Sequence, residues 1–360
     1  MQSVDRMMET GIKKGVFPGA VLLGSVQNEI RYFKAFGACG FASKHQIKKD
    51  FIFDLASLTK PLATVLAIFK LIESNKISLD NKLLSIMPGV FFSDKAEITI
   101  RQLLNHSSGL PPHREYFKEL MKFPMGVRRE KLHELIINEA LLAEKGKIQA
   151  YSDLGFIILA WIVEFLSGEG IDVFVRREIY NLLGVDDLFF IDLFDPDSHI
   201  PDDKYERIVP TENCPWRKKT LRAEVHDDNA WAAGGVAGHA GLFGDAFSVW
   251  KILMEIMKAL QGKDTKAINS DLFIQFMEKE KGSGFRSGFD TPSKNSSSSG
   301  RYFSDQSLGH LGFTGTSFWM DPEQSIAVIL LTNRVHPDRE NKAIKVFRPE
   351  IHNLLIEKIV

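Results

Sequence analysis

Apolar and polar residues alternate along this chain in two rhythms, one helical and one of period two. Met1 to Gly15 sets apolar residues against Asp5, Arg6, Glu9, Lys13 and Lys14, the pattern of an amphipathic helix. Pro18-Gly19 ends it. Ala20 to Ser25 and Ile30 to Phe36 then read as short strands around a Gln27-Asn28 turn. Phe51 to Leu55 leads into a helix from about Ser57 to Ser74, with Pro61 in its first turn, where a missing N–H is harmless. Ile98 to Leu104 starts another helix, and Ser107-Ser108-Gly109-Leu110-Pro111-Pro112 is a turn. From about Phe117 to Leu183 the period is helical. Leu154 to Leu166 is apolar almost throughout, which suits a helix buried on most sides.

Asp192 to Pro215, rich in Asp and Pro, reads as loop. Gly234, Gly235, Gly238, Gly241 and Gly244 follow closely, which implies backbone packed tightly or held at positive φ. Phe247 to Gln261 is helical again. Lys281 to Gly300 ends in Ser296-Ser297-Ser298-Ser299-Gly300 and reads as a mobile loop. Gly315 to Met320 and Ile326 to Leu331 are apolar strands separated by Asp321-Pro322-Glu323, and Ala343 to Val360 is a closing helix. Strands at both ends with helices between them predict an α/β chain of discontinuous build. Residues 1–85 and 246–360 form an antiparallel sheet flanked by helices. Residues 86–245 form a mainly helical domain, with a cleft where the two meet.

A chain of 360 residues, 44% hydrophobic, can bury one large core or two modest ones. Its 45 basic and 46 acidic residues leave a net charge of -1, which argues against a nucleic-acid partner. The two cysteines, Cys39 and Cys214, are too few for a disulfide-stapled scaffold and read as idle thiols. No run of about 18 apolar residues is present, so no membrane span is expected. The start lacks the continuous apolar core of an export signal. This predicts a cytoplasmic protein, or a periplasmic one if a signal has been trimmed.

Ser57-Leu58-Thr59-Lys60 places a hydroxyl and an amine at i and i+3, on one helix face. A serine hydroxyl is a poor nucleophile until a neighbouring base takes its proton, and a buried lysine of lowered pKa can do so. A helix N-terminus under Ser57 would favour a developing oxyanion. By spacing alone, a capping serine and a surface lysine is the commoner arrangement. Tyr151-Ser152-Asp153 stands just before the apolar helix, where a helix cap is the plain reading and an acid/base role for Tyr151 the sharper one. His310-Leu311-Gly312-Phe313 reads as an edge strand. If it borders the cleft, Gly312 admits substrate backbone and the Phe313 N–H faces the reacting carbonyl.

Together, these three elements resemble the serine β-lactamase and penicillin-binding protein family, whose pattern is Ser-x-x-Lys, then Tyr-x-Asn, then Lys- or His-x-Gly. Leu55-Ala56-Ser57-Leu58-Thr59-Lys60-Pro61, the stretch Ile98 to Leu110, Gly238 to Phe243, and Leu331-Thr332-Asn333-Arg334 are also similar to that family. The resemblance runs in order from about Gly15 to Leu355. It implies a β-lactamase/transpeptidase-like fold with the active site between sheet and helical domain. It implies Ser57 as nucleophile, Lys60 and Tyr151 as proton-transfer partners, and an oxyanion hole from the N–H groups of Ser57 and Phe313. Asp153, His310 and Gly312 would contact a small-molecule or peptide substrate. No metal or organic cofactor is implied.

Two positions depart from the family pattern. Asp153 stands where Asn is usual, and an ionised Asp cannot donate to an amide carbonyl. His310 stands where β-lactamases carry lysine. It offers a donor to a substrate carboxylate without a permanent charge. Asp153 weakens the case for lactam or peptide substrates and leaves room for esters. A histidine at 310 resembles DD-peptidases and D-aminopeptidases and counts against efficient β-lactam hydrolysis. Esters, D-amino-acid peptides or cell-wall fragments, and β-lactams are the candidate substrates. The alternative is an inactive penicillin-binding-like module that only binds wall fragments. His226, Asp227, Asp228 and His239 are zinc-type ligands, but their spacing matches no metal motif. Asn105 and His106 read as turn-fixing residues, and Trp216, Trp231 and Trp319 as cleft or core.

Overall fold

Two residues at positive φ, Gln27 (52°) and Asn28 (63°), close the first hairpin. That backbone matches the right-handed twist of the strands it joins. The strands are β1 (Gly19–Val26) and β2 (Glu29–Gly37). The computed structural model describes residues 1–360 apart from 93, 198, 199, 281 and 295. Parts of two expected loops, Ser198 and His199 in one and Lys281 and Asn295 in the other, therefore lie outside the described residues.

Late in the chain come β3 (Phe285–Arg286), β4 (Phe289–Asp290), β5 (Leu308–Leu311), β6 (Ser317–Asp321) and β7 (Ile326–Thr332). With the first hairpin they form one sheet in the order β2-β1-β7-β6-β5-β4-β3, antiparallel throughout. Both faces of its centre are buried, so β1 and β7 read as unbroken apolar runs rather than as alternation. Leu22 and Val328 point to one side, where α1 (Gln2–Lys13) and α5 (Ile344–Ile359) supply Val4, Met8, Ile351 and Leu355. Val21, Leu23 and Ile329 point to the other, against α2 (Val65–Glu73) and α4 (Ala246–Leu260).

The apolar stretch after Tyr151 forms α3 (Asp153–Ser167), which is buried along most of its length. Among the described residues no single helix is long and apolar enough to cross a membrane. The helical period expected across 117–183 is interrupted. Helix Arg128–Asn138 ends at Glu139, in extended backbone, and no regular element follows until α3. A second, three-stranded sheet joins Phe53–Asp54, Leu242–Gly244 and Leu188–Phe190. The serine run, expected to be mobile, packs in part on α5. Ser299 is fully buried, its carbonyl accepts from His352 Nδ1 at 3.2 Å, and Arg301 N donates to Asn353 Oδ1 at 2.7 Å.

Candidate active site

The site begins where the strand Phe53–Asp54 ends. The buried Asp54 carboxylate accepts from the N–H groups of Ala56 (2.8 Å) and His226 (2.7 Å). These bonds hold Ala56 at φ +49°, a conformation that L residues take up only under constraint. Ser57 follows in a tight 3₁₀ turn, Ala56–Leu58. Thr59 Oγ1 ties the turn down, donating to Ala56 O (2.6 Å) and accepting from Leu242 N (3.1 Å). Pro61 lacks an N–H, and the chain widens into a π turn over Lys60–Thr64 before regular helix begins at Val65. The single helix expected from Ser57 is thus three kinds of turn in series.

Lys60 is fully buried. Its ammonium meets three acceptors for its three protons: Ser57 Oγ at 3.1 Å, Asp153 Oδ1 at 2.7 Å and His239 O at 2.9 Å. Nζ lies 4.8 Å from the centroid of the Tyr151 ring, and the phenol interacts with both Lys60 and Ser57. The hydroxyl, amine and phenol expected to converge do so. Burial pulls the Lys60 pKa down, but Asp153 and Tyr151 outweigh it and the net shift is upward. Burial lifts the Asp153 carboxyl, yet Lys60, His113 and His239 hold it well below the usual carboxylate range. Burial also raises the Tyr151 phenol, with Lys60 opposing. At rest the pair is ammonium and carboxylate, and the phenol is neutral.

The cap reading and the functional reading of 151–153 are both satisfied. Ser152 caps α3, accepting from Gly155 N at 3.4 Å, and donates to Pro111 O at 2.6 Å. His106 Nδ1 accepts the Ser152 N–H at 3.0 Å, and its ring stands 4.6 Å from that of Tyr151. Asn105 Oδ1 accepts from Ser287 N at 2.9 Å. Both residues brace the site, as their turn-fixing reading implies. His113 was not anticipated. Its Nδ1 is 3.4 Å from the second oxygen of Asp153, and that bond, against burial, raises its pKa. The only sequence signal is its place directly after Pro111-Pro112.

His310 lies on β5, buried beside the phenol, with ring centroids 6.0 Å apart. Its Nδ1 is 2.9 Å from Leu311 O, an atom that can only accept, so Nδ1 carries the hydrogen. Nε2 is then a bare lone pair, buried without a partner. Burial, then the Lys60 charge, pushes the pKa to about 3. The expected donor to a substrate carboxylate is therefore spent on the backbone. Gly312 borders the site and is tightly packed: a Cβ there would lie 2.0 Å from Thr316 Oγ1 and 2.7 Å from Leu55 O, so protein atoms alone already require the glycine. Phe313 is half exposed, and its ring stacks on His226 at 5.6 Å.

Two cavities meet at Ser57. One, of about 690 Å³, is bordered by Phe285, His310, Gly312, Arg334 and Arg348. The other, of about 330 Å³, is bordered by His113, Asp153, His226, Asp227 and Asp228. Ser57, Tyr151, Phe313 and Arg339 border both. The four residues weighed for zinc are engaged separately. His239 Nε2 pairs with Asp227 at 3.0 Å, His226 Nε2 with Glu212 at 3.2 Å, and Asp228 with Arg217 and Arg339. The glycine run serves packing: a Cβ on Gly238 would stand 2.2 Å from Phe156 O. Trp319 is core, and Trp216 and Trp231 pack edge to face. Cys39 and Cys214 are buried free thiols.

Comparison with known proteins matches residues 4–350 to the beta-lactamase family profile. An N-acetylmuramyl-L-alanine amidase of Bacillus subtilis (strain 168) is 30% identical over 93% of this chain and 81% of its own length. A putative D-alanyl-D-alanine carboxypeptidase of Escherichia coli (strain K12) is 28% identical over 93% and 82%. Among solved structures, the octameric penicillin-binding protein homologue from Pyrococcus abyssi superposes with a TM-score of 0.74 at 18% identity. That match covers 99% of this chain and 77% of the homologue.

Proposed function

This chain belongs to the beta-lactamase family, and from that premise we propose a serine hydrolase that cleaves amide or ester bonds in cell-wall fragments through an acyl-enzyme on Ser57. The observation that carries the proposal is the meeting of Ser57 Oγ, Lys60 Nζ and the Tyr151 phenol at the junction of two cavities. The names of the amidase and carboxypeptidase relatives support wall fragments as the substrate class.

The protonation states support a relay rather than a resting base. Ser57 attacks the carbonyl as its proton passes to the Tyr151 oxygen. Tyr151 passes its own proton to the leaving group, so the phenol is neutral again at the end of the step. Lys60 stays an ammonium and stabilises phenolate character as it appears. Among the described residues no hydrogen bond occupies the N–H of Ser57 or Phe313, which leaves both for the oxyanion. Water then attacks the ester through the same relay in reverse. Without a permanent charge at His310, β-lactams are poor substrates, and Asp153 in place of an amide favours esters over amides.

Mass spectrometry of the intact protein after exposure to a fluorophosphonate tests this reading. One adduct, mapped to Ser57 and absent from Ser57→Ala, is expected, together with release of products from muropeptides. Muropeptide binding without any adduct would point instead to an inert binding module.

A further inference from the structure

The turn between β5 and β6, residues 312–316, carries the Phe313 N–H. Two buried arginines hold it from behind. Arg334, just after β7, donates Nε to Phe313 O at 2.8 Å and adds a bond from Nη2 to the same oxygen. Its guanidinium lies 4.5 Å from the centroid of the Phe313 ring. Arg348, on α5, donates Nη2 to Gly315 O at 3.2 Å and to Thr316 O at 3.3 Å. From the opposite side, Thr314 Oγ1 donates to Asp54 O at 2.7 Å and Thr316 Oγ1 to Leu55 O at 3.1 Å. The turn is therefore gripped between the arginines and the segment that leads into Ser57.

The arginines are unusual as structural struts. They are 6% and 4% exposed, and among the described residues neither makes a salt bridge, although the Glu340 and Glu212 carboxylates act on Arg334 from farther off. Among the described residues Arg348 Nε has no hydrogen-bond partner. Burial depresses both guanidiniums, with Glu340 and Glu212 opposing at Arg334, while Arg348 falls to about 10 as the like charge of Arg334 adds to the effect. A buried cation with no carboxylate acting on it, as at Arg348, is unfavourable for folding, and a neutral donor could hold the same carbonyls. Both side chains also border the larger cavity beside Ser57.

We propose that Arg334 and Arg348 are positioning residues of the oxyanion hole. They fix the turn that presents the Phe313 N–H, and their positive charge favours the anionic tetrahedral intermediate over the neutral carbonyl. Neither touches a reacting atom. The proposal rests on the serine-hydrolase reading above and extends it.

The test is turnover of a nitrophenyl ester, expressed per active site titrated with fluorophosphonate. R334Q should lower kcat per titrated site by about 10²-fold, the order seen when an oxyanion contact is lost. KM should change by less than about threefold, because the interaction strengthens only in the transition state. R348Q should act in the same direction. Unchanged kcat per titrated site, with only fewer sites or a lower Tm, means a purely structural role and overturns the proposal. A raised KM at constant kcat overturns it as well. If R334Q does not fold, R334K decides, since it keeps the charge but loses the two-pronged grip. It should lose about tenfold in kcat, and native kcat would refute the idea. A native protein that neither labels at Ser57 nor turns over ester removes the hydrolase reading, and this proposal with it.

Discussion

At the scale of single residues, Asp153 decides the proton state of Lys60. The buried carboxylate raises the amine against the downward pull of burial. In Asp153→Asn that pull is opposed by Tyr151 alone. The limb of the pH–rate profile that reports loss of the Lys60 proton should move down by about 1–3 units. An unmoved limb would mean that the ion pair at 2.7 Å does not govern the chemistry. The same variant leaves a buried ammonium without its partner and should lose about 3–5 kcal/mol of stability at neutral pH in urea titrations. The folded pKa of Asp153 lies below its unfolded one, so its contribution is present above the ordinary carboxylate range and fades as pH falls through the folded value. The stability gap between native and variant should therefore close in acid. Ser57, Lys60 and Tyr151 were legible in sequence because each lies in a short motif. His113 and Arg348 were not legible as site residues, because their contacts are with through-space partners that no spacing records, and Arg334, though within the family-like stretch Leu331-Thr332-Asn333-Arg334, carried no role there.

At the scale of elements, the 312–316 turn and the nucleophile segment act as one piece. Gly312→Ala would drive a Cβ to 2.0 Å from Thr316 Oγ1 and break the packing against Leu55 O. A loss of about 1–3 kcal/mol is expected from overpacking, with ester turnover falling more steeply than the melting temperature. Full activity in this variant would show that the turn is free to move. Sequence periodicity located β1, β2, β6, β7, α3, α4 and α5 because each is long and strongly patterned. It missed β3, β4 and the three-stranded sheet, whose strands of two or three residues are too short to show a period. The 3₁₀ and π turns around Ser57 were hidden for another reason. Asp54, Thr59 and Pro61 impose them through tertiary bonds and a missing N–H, which local propensity does not register.

At the scale of the whole molecule, the sheet keeps histidines neutral where α5 closes on it. His352 is fully buried and burial pushes its pKa to about 3. The unfolded chain takes up this proton near the ordinary value of about 6.5 and the folded chain does not. Stability should therefore fall with pH between those limits. His352→Gln can still donate to Ser299 O, and it removes the titration. Its stability should fall less steeply by up to about 1.4 kcal/mol per pH unit between pH 6 and pH 4, measured by urea unfolding at each pH. Equal slopes would show that His352 is charged in the folded state. The antiparallel sheet flanked by helices was legible as a whole from strands at both ends of the chain. The order of its seven strands was not, since pairing between β1 and β7 spans nearly the entire sequence.

Phe313, half exposed on its turn, belongs to both of two rooms that share Ser57 as their doorway. A molecule cut at that doorway would leave one piece in each room. Neither piece would have to pass the other on its way out, so the first to leave would vacate its room while the second stayed in place.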